Sequence, residues 1–391
     1  MSYQQLESKG RLLFVENFLP SFLSARLRLA QEAAAAGFDV HVAAPLAAAG
    51  SPELNSGLEW HDVAIGRSLS PRDEAKTVAR LISLYKWLRP DLVHHVRMKP
   101  VVYGGLAARL THVPAVVNTL TGLGYVYHSD SPKAQLLRPA VTFGLRLVCG
   151  LSTQRLIVQN SDDYDFCIDS KICPPDRIVL IRGSGVDIDH YRPLPEPDDT
   201  PVVMLPARML WDKGVGEFVA AARLLRASGI RARFALVGSV DPSSPAAVPL
   251  ETLKRWQASG VVEWWGWCDD IRSVIAQSQV VCLPSYGEGA PRALMEASAC
   301  GRAIVTTNVS GCRDVVLHGE NGLLVPPKDV QGLALALKLL LTQPDVRSRL
   351  AANGPRRMAE HFSLRTVIAN TLDVYSQLLG VEHEAPLTSV A

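Results

Sequence analysis

Residues 284–316, PSYGEGAPRALMEASACGRAIVTTNVSGCRDVV, decide the fold that we expect for this chain. An apolar strand at 280–283 runs into a turn rich in small residues. A helix then begins near Pro291, because proline is favoured in the first helical turn, and Gly301 is a natural end for it. Residues 303–305, AIV, are typical of a buried strand. The stretch therefore predicts a strand–helix–strand unit.

Two carboxylates lie in this unit, Glu288 in the turn and Glu296 in the helix. Gly287 and Gly289 flank the first carboxylate, so the backbone there can approach a ligand closely. The amides that follow Gly289 begin a helix, where an anion is favoured. Taken alone, two such glutamates are most often a loop carboxylate and a solvated helix residue. The alternative is that both contact a ligand.

The spacing from Glu288 to Glu296 resembles the E-x7-E signature of retaining nucleotide-sugar glycosyltransferases. The segment ACGRAIVTT that follows is similar to the continuation of that signature in glycosyltransferase family four. Members of that family have the GT-B fold. The resemblance implies an α/β protein of two doubly wound Rossmann-like domains that face a central cleft, with a C-terminal helix that crosses back to the first domain.

The rest of the chain fits this division, because short apolar strands alternate with helical segments in both halves. We predict an acceptor-binding domain at 1–192 and a donor-binding domain at 193–362. We place the boundary directly before a stiff, proline-rich polar segment at 193–199. The crossover helix is predicted at 363–380 and a disordered tail at 381–391.

Composition limits the partners that we expect. The chain has 391 residues and a net charge of +2, and it shows no nucleic-acid motif. Residues 61–160 nevertheless hold 13 Lys and Arg against 5 Asp and Glu. This excess indicates either attraction to anionic lipid and diphosphate or ordinary surface variation. The seven scattered cysteines, with no C-x-x-C pair, are typical of reduced thiols in a cytoplasmic protein.

The segment Pro132–Leu151 is the candidate for membrane contact. It is apolar but contains Lys133, Arg138 and Arg146. One interpretation is that this helix lies in a membrane interface. The other is that it packs in the core with its arginines extended to solvent, and the sequence leaves both alternatives open. No apolar run reaches the roughly 20 residues that span a bilayer, so we expect peripheral association with the inner face of the cytoplasmic membrane.

In the first domain, candidate acceptor residues follow two predicted strands. Doubly wound sheets bind ligands at the carboxyl ends of their strands, so we place His95, Arg97 and Lys99 in the acceptor cleft. Side-chain alternation turns either His94 or His95 into the sheet packing, and the sequence leaves open which one faces the cleft.

Thr121 and Gly122 belong to the segment TLTGLGYVY, which resembles a bacterial sub-branch that extends sugars on undecaprenyl-diphosphate carriers. Thr121 stands where many family members have a histidine that reaches the donor sugar. We assign both residues to the acceptor or cleft, although glycines there also fit a plain turn.

In the second domain, Arg208 and Lys213 resemble the R-x4-K motif of the family. A guanidinium and an ammonium beside a helix start suit a nucleoside diphosphate. The resemblance implies that Arg208 and Lys213 stabilise the leaving UDP and that Glu288 holds hydroxyls of the transferred sugar; we group these three as catalytic residues. By the same resemblance Glu296 holds the ribose. Five further residues complete the predicted donor pocket: Gly289, Ala290, Arg292 and the nucleobase-contacting pair Trp267–Cys268.

We expect a retaining enzyme that transfers a hexose or N-acetylhexosamine from a UDP-sugar to a polyprenyl-diphosphate-linked saccharide. No residue spacing in the sequence indicates a metal site, so we expect no metal and no other cofactor. Two alternatives share the fold: a sugar-nucleotide 2-epimerase and a non-catalytic module that binds UDP-sugar. The donor sugar, acceptor and linkage are left open.

Overall fold

Alternating strands and helices build two parallel sheets in the computed structural model, which describes residues 9–46, 57–66, 70–128, 132–150, 153–242 and 244–381. The chain divides into unit 1, Met1–Ser184 with Thr366–Ala391, and unit 2, Gly185–Arg365. Residues 382–391 of the predicted tail lie outside the described residues.

Unit 1 holds a seven-stranded sheet in which every pairing is parallel. Its strands are β1 Arg11–Glu16, β2 Asp39–Ala44, β3 Glu59–Asp62, β4 Leu92–Val96, β5 Ala115–Leu120, β6 Gln154–Val158 and β7 Ile178–Leu180. Its helices are α1 Leu19–Ala25, α2 Leu27–Ala35, α3 Pro71–Leu88, α4 Met98–Thr111, α5 Tyr125–His128, α6 Pro132–Cys149 and α7 Ser161–Asp169. The strand order is β3-β2-β1-β4-β5-β6-β7, so the order reverses between β1 and β4.

Unit 2 repeats the pattern with a six-stranded parallel sheet. Its strands are β8 Val202–Pro206, β9 Arg233–Val237, β10 Glu263–Gly266, β11 Val280–Leu283, β12 Ala303–Thr307 and β13 Gly322–Val325. Its helices are α8 Val215–Ala227, α9 Leu250–Ala258, α10 Ile271–Ala276, α11 Arg292–Ala299, α12 Cys312–Val315, α13 Val330–Thr342 and α14 Pro344–His361. The last helix, α15 Leu364–Leu379, belongs to unit 1 from Thr366 onward. The order β10-β9-β8-β11-β12-β13 reverses between β8 and β11. The opening stretch of our sequence analysis is therefore β11–α11–β12, as predicted.

The C-terminal helix α15 returns to unit 1, as the resemblance implied. Its Tyr375 is fully buried, and the hydroxyl lies 2.5 Å from Nδ1 of His94 on β4. The Tyr375 ring also packs edge-on against Phe14 and Phe38. A helix at the end of the chain is thus fixed to the first sheet by a buried aromatic contact.

The division between the units falls between Ser184 and Gly185, earlier in the chain than the boundary at 192/193 that we predicted. The proline-rich segment is bonded to unit 2, because buried Arg302 donates to the carbonyls of Leu194 at 2.8 Å and Pro195 at 2.7 Å. The amide of Leu194 also donates to Cys300 O at 3.1 Å. Proline content alone did not reveal these partners, which are distant in the sequence.

Candidate active site

Three loops meet where β8, β11 and β12 end in unit 2. The amide of Tyr286 donates to Asp212 O at 2.9 Å, which joins the loop after β11 to the loop after β8. The amide of Glu288 donates to Ser310 O at 3.3 Å, which joins it to the loop after β12. These loops lie at the reversal between β8 and β11, where doubly wound sheets bind ligands.

Two glycines allow the loops to approach each other. A Cβ on Gly214 would lie 2.1 Å from Pro284 O, and a Cβ on Gly311 would lie 2.5 Å from Gly289 O. Both glycines also have a positive φ, of 72° and 70°. Side chains there would force the backbones apart. The close approach fixes the position of Glu288 relative to the loop after β8.

Lys213 and Glu288, both predicted catalytic residues, form an ion pair. Lys213 Nζ donates to Glu288 Oε1 at 2.5 Å, and the two side chains are only 19% and 13% exposed. An ammonium has three N–H donors, so this contact leaves capacity for phosphate oxygens. The two residues belong to separate motifs of the sequence, and the fold brings them into direct contact.

Arg208, the other predicted cation, contacts a residue that we did not predict. Its Nη1 donates to Asp241 Oδ2 at 2.8 Å, while the Arg208 side chain is 46% exposed. Asp241 lies in the loop that follows β9. That loop is bonded to the loop after β8, since Met209 N donates to Ser239 O at 3.0 Å. No spacing in the sequence signals this pairing.

Glu296 lies on α11 and is 7% exposed. Arg292, one turn earlier, donates to Glu296 Oε1 at 2.8 Å. Burial raises the pKa of Glu296, whereas Arg292 and a hydrogen bond with Tyr191 lower it. Tyr191 is a partner that sequence reasoning missed. Gly289 and Ala290 stand just before this helix, next to Glu288, so all of these predicted donor residues share one loop-and-helix segment.

Trp267 and Cys268 follow β10, the edge strand of the sheet. Trp267 is 69% exposed, and its Nε1 donates to Asp269 Oδ1 at 2.7 Å. Cys268 Sγ donates to Asp270 O at 3.2 Å. Both side chains thus bond within their own turn, and contact with a nucleobase remains a prediction. Among the described residues, no group of three or more His, Cys, Asp or Glu is arranged to hold a metal ion.

The two histidines at the end of β4 are both in the core, which corrects our placement of His95 in the acceptor cleft. His95 is fully buried between Asn118 Oδ1, 2.7 Å from Nδ1, and the Tyr85 hydroxyl, 2.9 Å from Nε2. His94 lies between Tyr375 and Thr119. Central parallel strands are covered on both faces, so side-chain alternation exposes neither histidine. Burial lowers the pKa of His95 to about 4.

Lys99, Thr121 and Gly122 all follow strands of unit 1. Lys99 Nζ donates to Glu74 Oε1 at 2.6 Å and to Gly66 O at 2.9 Å, so it is held by neighbouring segments. Thr121 and Gly122 are half-buried directly after β5, and Gly122 has a φ of 107°. Thr121 and Gly122 therefore lie at the carboxyl edge of the sheet, and their contact with an acceptor remains a prediction.

Arg97 stands between β4 and α4 with φ 78° and ψ 163°. Only glycine adopts this backbone region readily, and other residues there cost about 1–3 kcal/mol. Arg97 Nε lies 3.3 Å from Glu16 Oε1, and Nη2 donates to Ser21 Oγ at 2.8 Å. The side chain is 37% exposed. The ion pair and hydrogen bond hold a strained backbone at the carboxyl edge of the sheet.

Glu16, the last residue of β1, is a candidate that sequence reasoning missed. It is fully buried and accepts from the Asn17 amide at 2.9 Å through Oε1. Burial raises its pKa to about 7, although Arg97 and the amide lower it. Oε2 has no hydrogen-bond partner among the described residues. The sequence feature that could have revealed it is a glutamate at the end of the apolar strand LLFVE, directly before the loop at 17–21, which lacks glycine.

The helix α6 presents apolar side chains to solvent. Leu136 is 81% exposed and Phe143 is 67% exposed. Arg138 Nε donates to Val126 O and Arg146 Nε to Ser170 O, each at 2.8 Å, so both arginines are held beside the helix. The side chain of Lys133 and residue Leu151 lie outside the described residues. Within the described chain, no helix has the length and apolar character that crossing a membrane requires.

Family models and curated relatives match most of the chain. The models described as "Glycosyl transferase 4-like" and "Glycosyl transferases group 1" match residues 11–160 and 200–343. An N,N'-diacetylbacillosaminyl-diphospho-undecaprenol alpha-1,3-N-acetylgalactosaminyltransferase of Campylobacter jejuni is 30% identical, over 73% of this chain and 77% of its own. A UDP-Gal:alpha-D-GlcNAc-diphosphoundecaprenol alpha-1,3-galactosyltransferase of Escherichia coli is 26% identical, over 78% and 80%.

Solved structures resemble the chain along nearly its full length. Sucrose-phosphate synthase from Thermosynechococcus elongatus has a TM-score of 0.78 at 21% identity and covers 95% of this chain and 99% of its own. Anabaena HepE, solved in complex with UDP and glucose, has a TM-score of 0.73 at 17% identity and covers 93% and 99%. The predicted GT-B fold is confirmed. The chain belongs to the family-4-like, group 1 glycosyltransferases, and it is a glycosyltransferase.

Proposed function

We propose that this glycosyltransferase moves a hexose or N-acetylhexosamine from a UDP-sugar to a polyprenyl-diphosphate-linked saccharide, with retention of the anomeric configuration. The observation that carries the proposal is the Lys213–Glu288 ion pair, with Arg208 in the same loop after β8, at the strand-order reversal of unit 2. The two relatives whose names specify diphosphoundecaprenol-linked substrates support the acceptor class.

The donor site works by exchange of ionic partners. Breaking a sugar–phosphate bond develops negative charge on UDP, and cations already fixed near it stabilise that charge without further reorganisation. Lys213 is paired with Glu288, and Arg208 is paired with Asp241. When the diphosphate binds, the two cations turn to it. Glu288 is then released to accept hydrogen bonds from hydroxyls of the transferred sugar, and Glu296 holds the ribose.

We propose that no metal takes part, because two side-chain cations compensate the diphosphate. In a front-face retaining reaction, the bond from the anomeric carbon to the UDP oxygen breaks as the acceptor oxygen attacks on the same face. The acceptor proton passes to the departing phosphate oxygen. Such a reaction needs no nucleophile from the protein.

We further propose that α6 attaches the enzyme to the inner face of the cytoplasmic membrane. Leu136 and Phe143 are large apolar side chains exposed beside Arg138 and Arg146. Burial of each such apolar side chain is worth about 1.5–3 kcal/mol, and each cation near anionic lipid adds about 1 kcal/mol. This arrangement brings the enzyme to an acceptor whose polyprenyl chain is in the bilayer.

Vesicle flotation tests the attachment. Leu136→Ser with Phe143→Ser should reduce flotation with vesicles of phosphatidylglycerol and phosphatidylethanolamine at least tenfold. Leu335→Ser is the matched control, since Leu335 is 67% exposed on α13 in unit 2. Equal flotation of the double variant, the control and the wild type would refute membrane attachment through α6.

A donor screen tests the reaction. UDP-GalNAc, UDP-GlcNAc, UDP-Gal and UDP-Glc are each incubated with a polyprenyl-diphosphate N-acetylhexosamine, and lipid products are separated by mass. We expect one donor to give a product one sugar larger. An isomerised UDP-sugar formed without acceptor would instead indicate a 2-epimerase, and UDP binding without any product would indicate a non-catalytic module.

A further inference from the structure

We propose that Glu16, Asn17 and Arg97 form a subsite in unit 1 that binds hydroxyl groups of the acceptor saccharide. The inference rests on the proposed function, since it names the chemistry by which that acceptor is held. It also adds Glu16 and Asn17 to the predicted acceptor residues.

The three residues lie where a doubly wound sheet binds ligands. Glu16 ends β1, Asn17 follows it, and Arg97 follows β4. Strands β1 and β4 are neighbours, and the strand order of unit 1 reverses between them. The carboxyl ends of two such strands enclose a crevice. The same position in unit 2 holds the cluster of Lys213 and Glu288.

The polar atoms at this crevice match a hydroxyl group. Within the part of the chain that the structure describes, Glu16 Oε2 and Asn17 Oδ1 are both buried acceptors without a hydrogen-bond partner. Buried acceptors without partners are rare, because each loses its hydration without replacement. Two oxygen acceptors favour a donor and repel an anion. Arg97 supplies guanidinium N–H donors at the same place, so the group combines acceptors with donors, as a sugar diol requires.

The backbone of Arg97 is a second, independent observation. Its φ of 78° and ψ of 163° lie in a region that glycine occupies at little cost. The strained conformation directs a long cationic side chain to Glu16 and Ser21. Strain of this kind clusters at ligand sites. Burial also raises the pKa of Glu16 to about 7, which is expected of a carboxyl group placed for a ligand rather than for solvent.

Glu16→Gln tests the subsite. The variant keeps the shape of the side chain but replaces one acceptor oxygen by an amide. With the polyprenyl-diphosphate saccharide as acceptor, its KM should rise tenfold or more, while affinity for UDP, measured by calorimetry, stays within about twofold. A set of acceptors that each lack one hydroxyl locates the contact: for one of them, wild type and variant should have equal KM.

Arg97→Gly separates binding from stability. Glycine relieves the backbone strain, so the melting temperature should rise above that of Arg97→Ala, yet the acceptor KM should rise in both. Arg89→Gly is the matched control, because Arg89 also has a positive φ, of 51°, and is exposed at the end of α3. It should leave the acceptor KM unchanged.

Three results would overturn the subsite. The first is an unchanged acceptor KM in Glu16→Gln. The second is a KM increase in Glu16→Gln that is the same for every deoxygenated acceptor. The third is an Arg97→Gly variant that gains stability without losing acceptor affinity. If wild type transfers no sugar to any lipid-linked saccharide, the proposed function fails. Calorimetric binding of the same saccharides then decides about the subsite: binding that Glu16→Gln abolishes supports it, and equal or absent binding refutes it.

Discussion

Glu16→Gln should change how the stability of unit 1 depends on pH. Burial raises the pKa of Glu16 from 4.5 to about 7, although Arg97, Arg26 and the amides of Asn17 and Phe18 lower it. The folded protein therefore holds a proton that the unfolded chain loses, and stability falls as the pH rises from about 4.5 to about 7. One pKa unit corresponds to about 1.36 kcal/mol, so the total loss is roughly 3 kcal/mol.

Two buried histidines act in the opposite direction. Burial lowers the pKa of His95 from 6.5 to about 4, and it lowers the pKa of His94 as well. Each contributes stability that is lost as the pH falls through this range. The wild-type curve is therefore a sum of opposing slopes. The difference between variant and wild type isolates Glu16, because both proteins contain the histidines.

Urea unfolding between about pH 5 and pH 8 measures this difference. The stability of Glu16→Gln relative to wild type should increase by roughly 2–3 kcal/mol across that range, with most of the change between about pH 5 and pH 7. Glu251→Gln is the control, because the Glu251 side chain is 83% exposed, and its curve should run parallel to wild type. A Glu16→Gln difference that does not vary with pH would refute the raised pKa assigned to the buried Glu16.

Three further predictions concern the donor site of unit 2. Lys213→Ala and Arg208→Ala should each weaken UDP binding at least tenfold, since a hydrogen bond to a charged group is worth about 1.5–3 kcal/mol; calorimetry that finds unchanged affinity in folded variants contradicts the diphosphate contact. Glu288→Gln should lower turnover while UDP affinity stays level, whereas Glu296→Ala should weaken UDP and lower turnover; equal losses of UDP affinity in both would mean that their roles are assigned wrongly. Turnover should survive EDTA, and activity that EDTA abolishes and Mg²⁺ or Mn²⁺ restores would disprove the metal-free reaction.

Much of the fold was predictable because local patterns and sheet topology agree. Apolar strands alternate with helices, and parallel order gathers the strand ends at one edge. The family resemblance grouped Arg208, Lys213 and Glu288 as catalytic residues, and all three lie in loops that follow strands of unit 2. Side-chain partners were not predictable, because they depend on contacts between segments far apart in the sequence. Asp241 lies beside Arg208 only after a second loop folds over the first. Side-chain alternation likewise failed at His95, because it ignores helices that cover both faces of a central strand.

The carboxylates that pair with the two cations of the donor site determine how readily each cation can bind a diphosphate. Lys213 and Glu288 are both largely buried, so removal of either partner leaves a poorly solvated charge. Arg208 is 46% exposed, although Asp241 is only 15% exposed, so solvent screens this ion pair and its contribution to stability is small. A diphosphate therefore gains Arg208 readily but must displace Glu288 to gain Lys213. The displaced carboxylate is the group that we assign to the transferred sugar. Donor binding and sugar orientation are thus linked through one ion pair, which explains why neutralising Glu288 should impair turnover without weakening UDP.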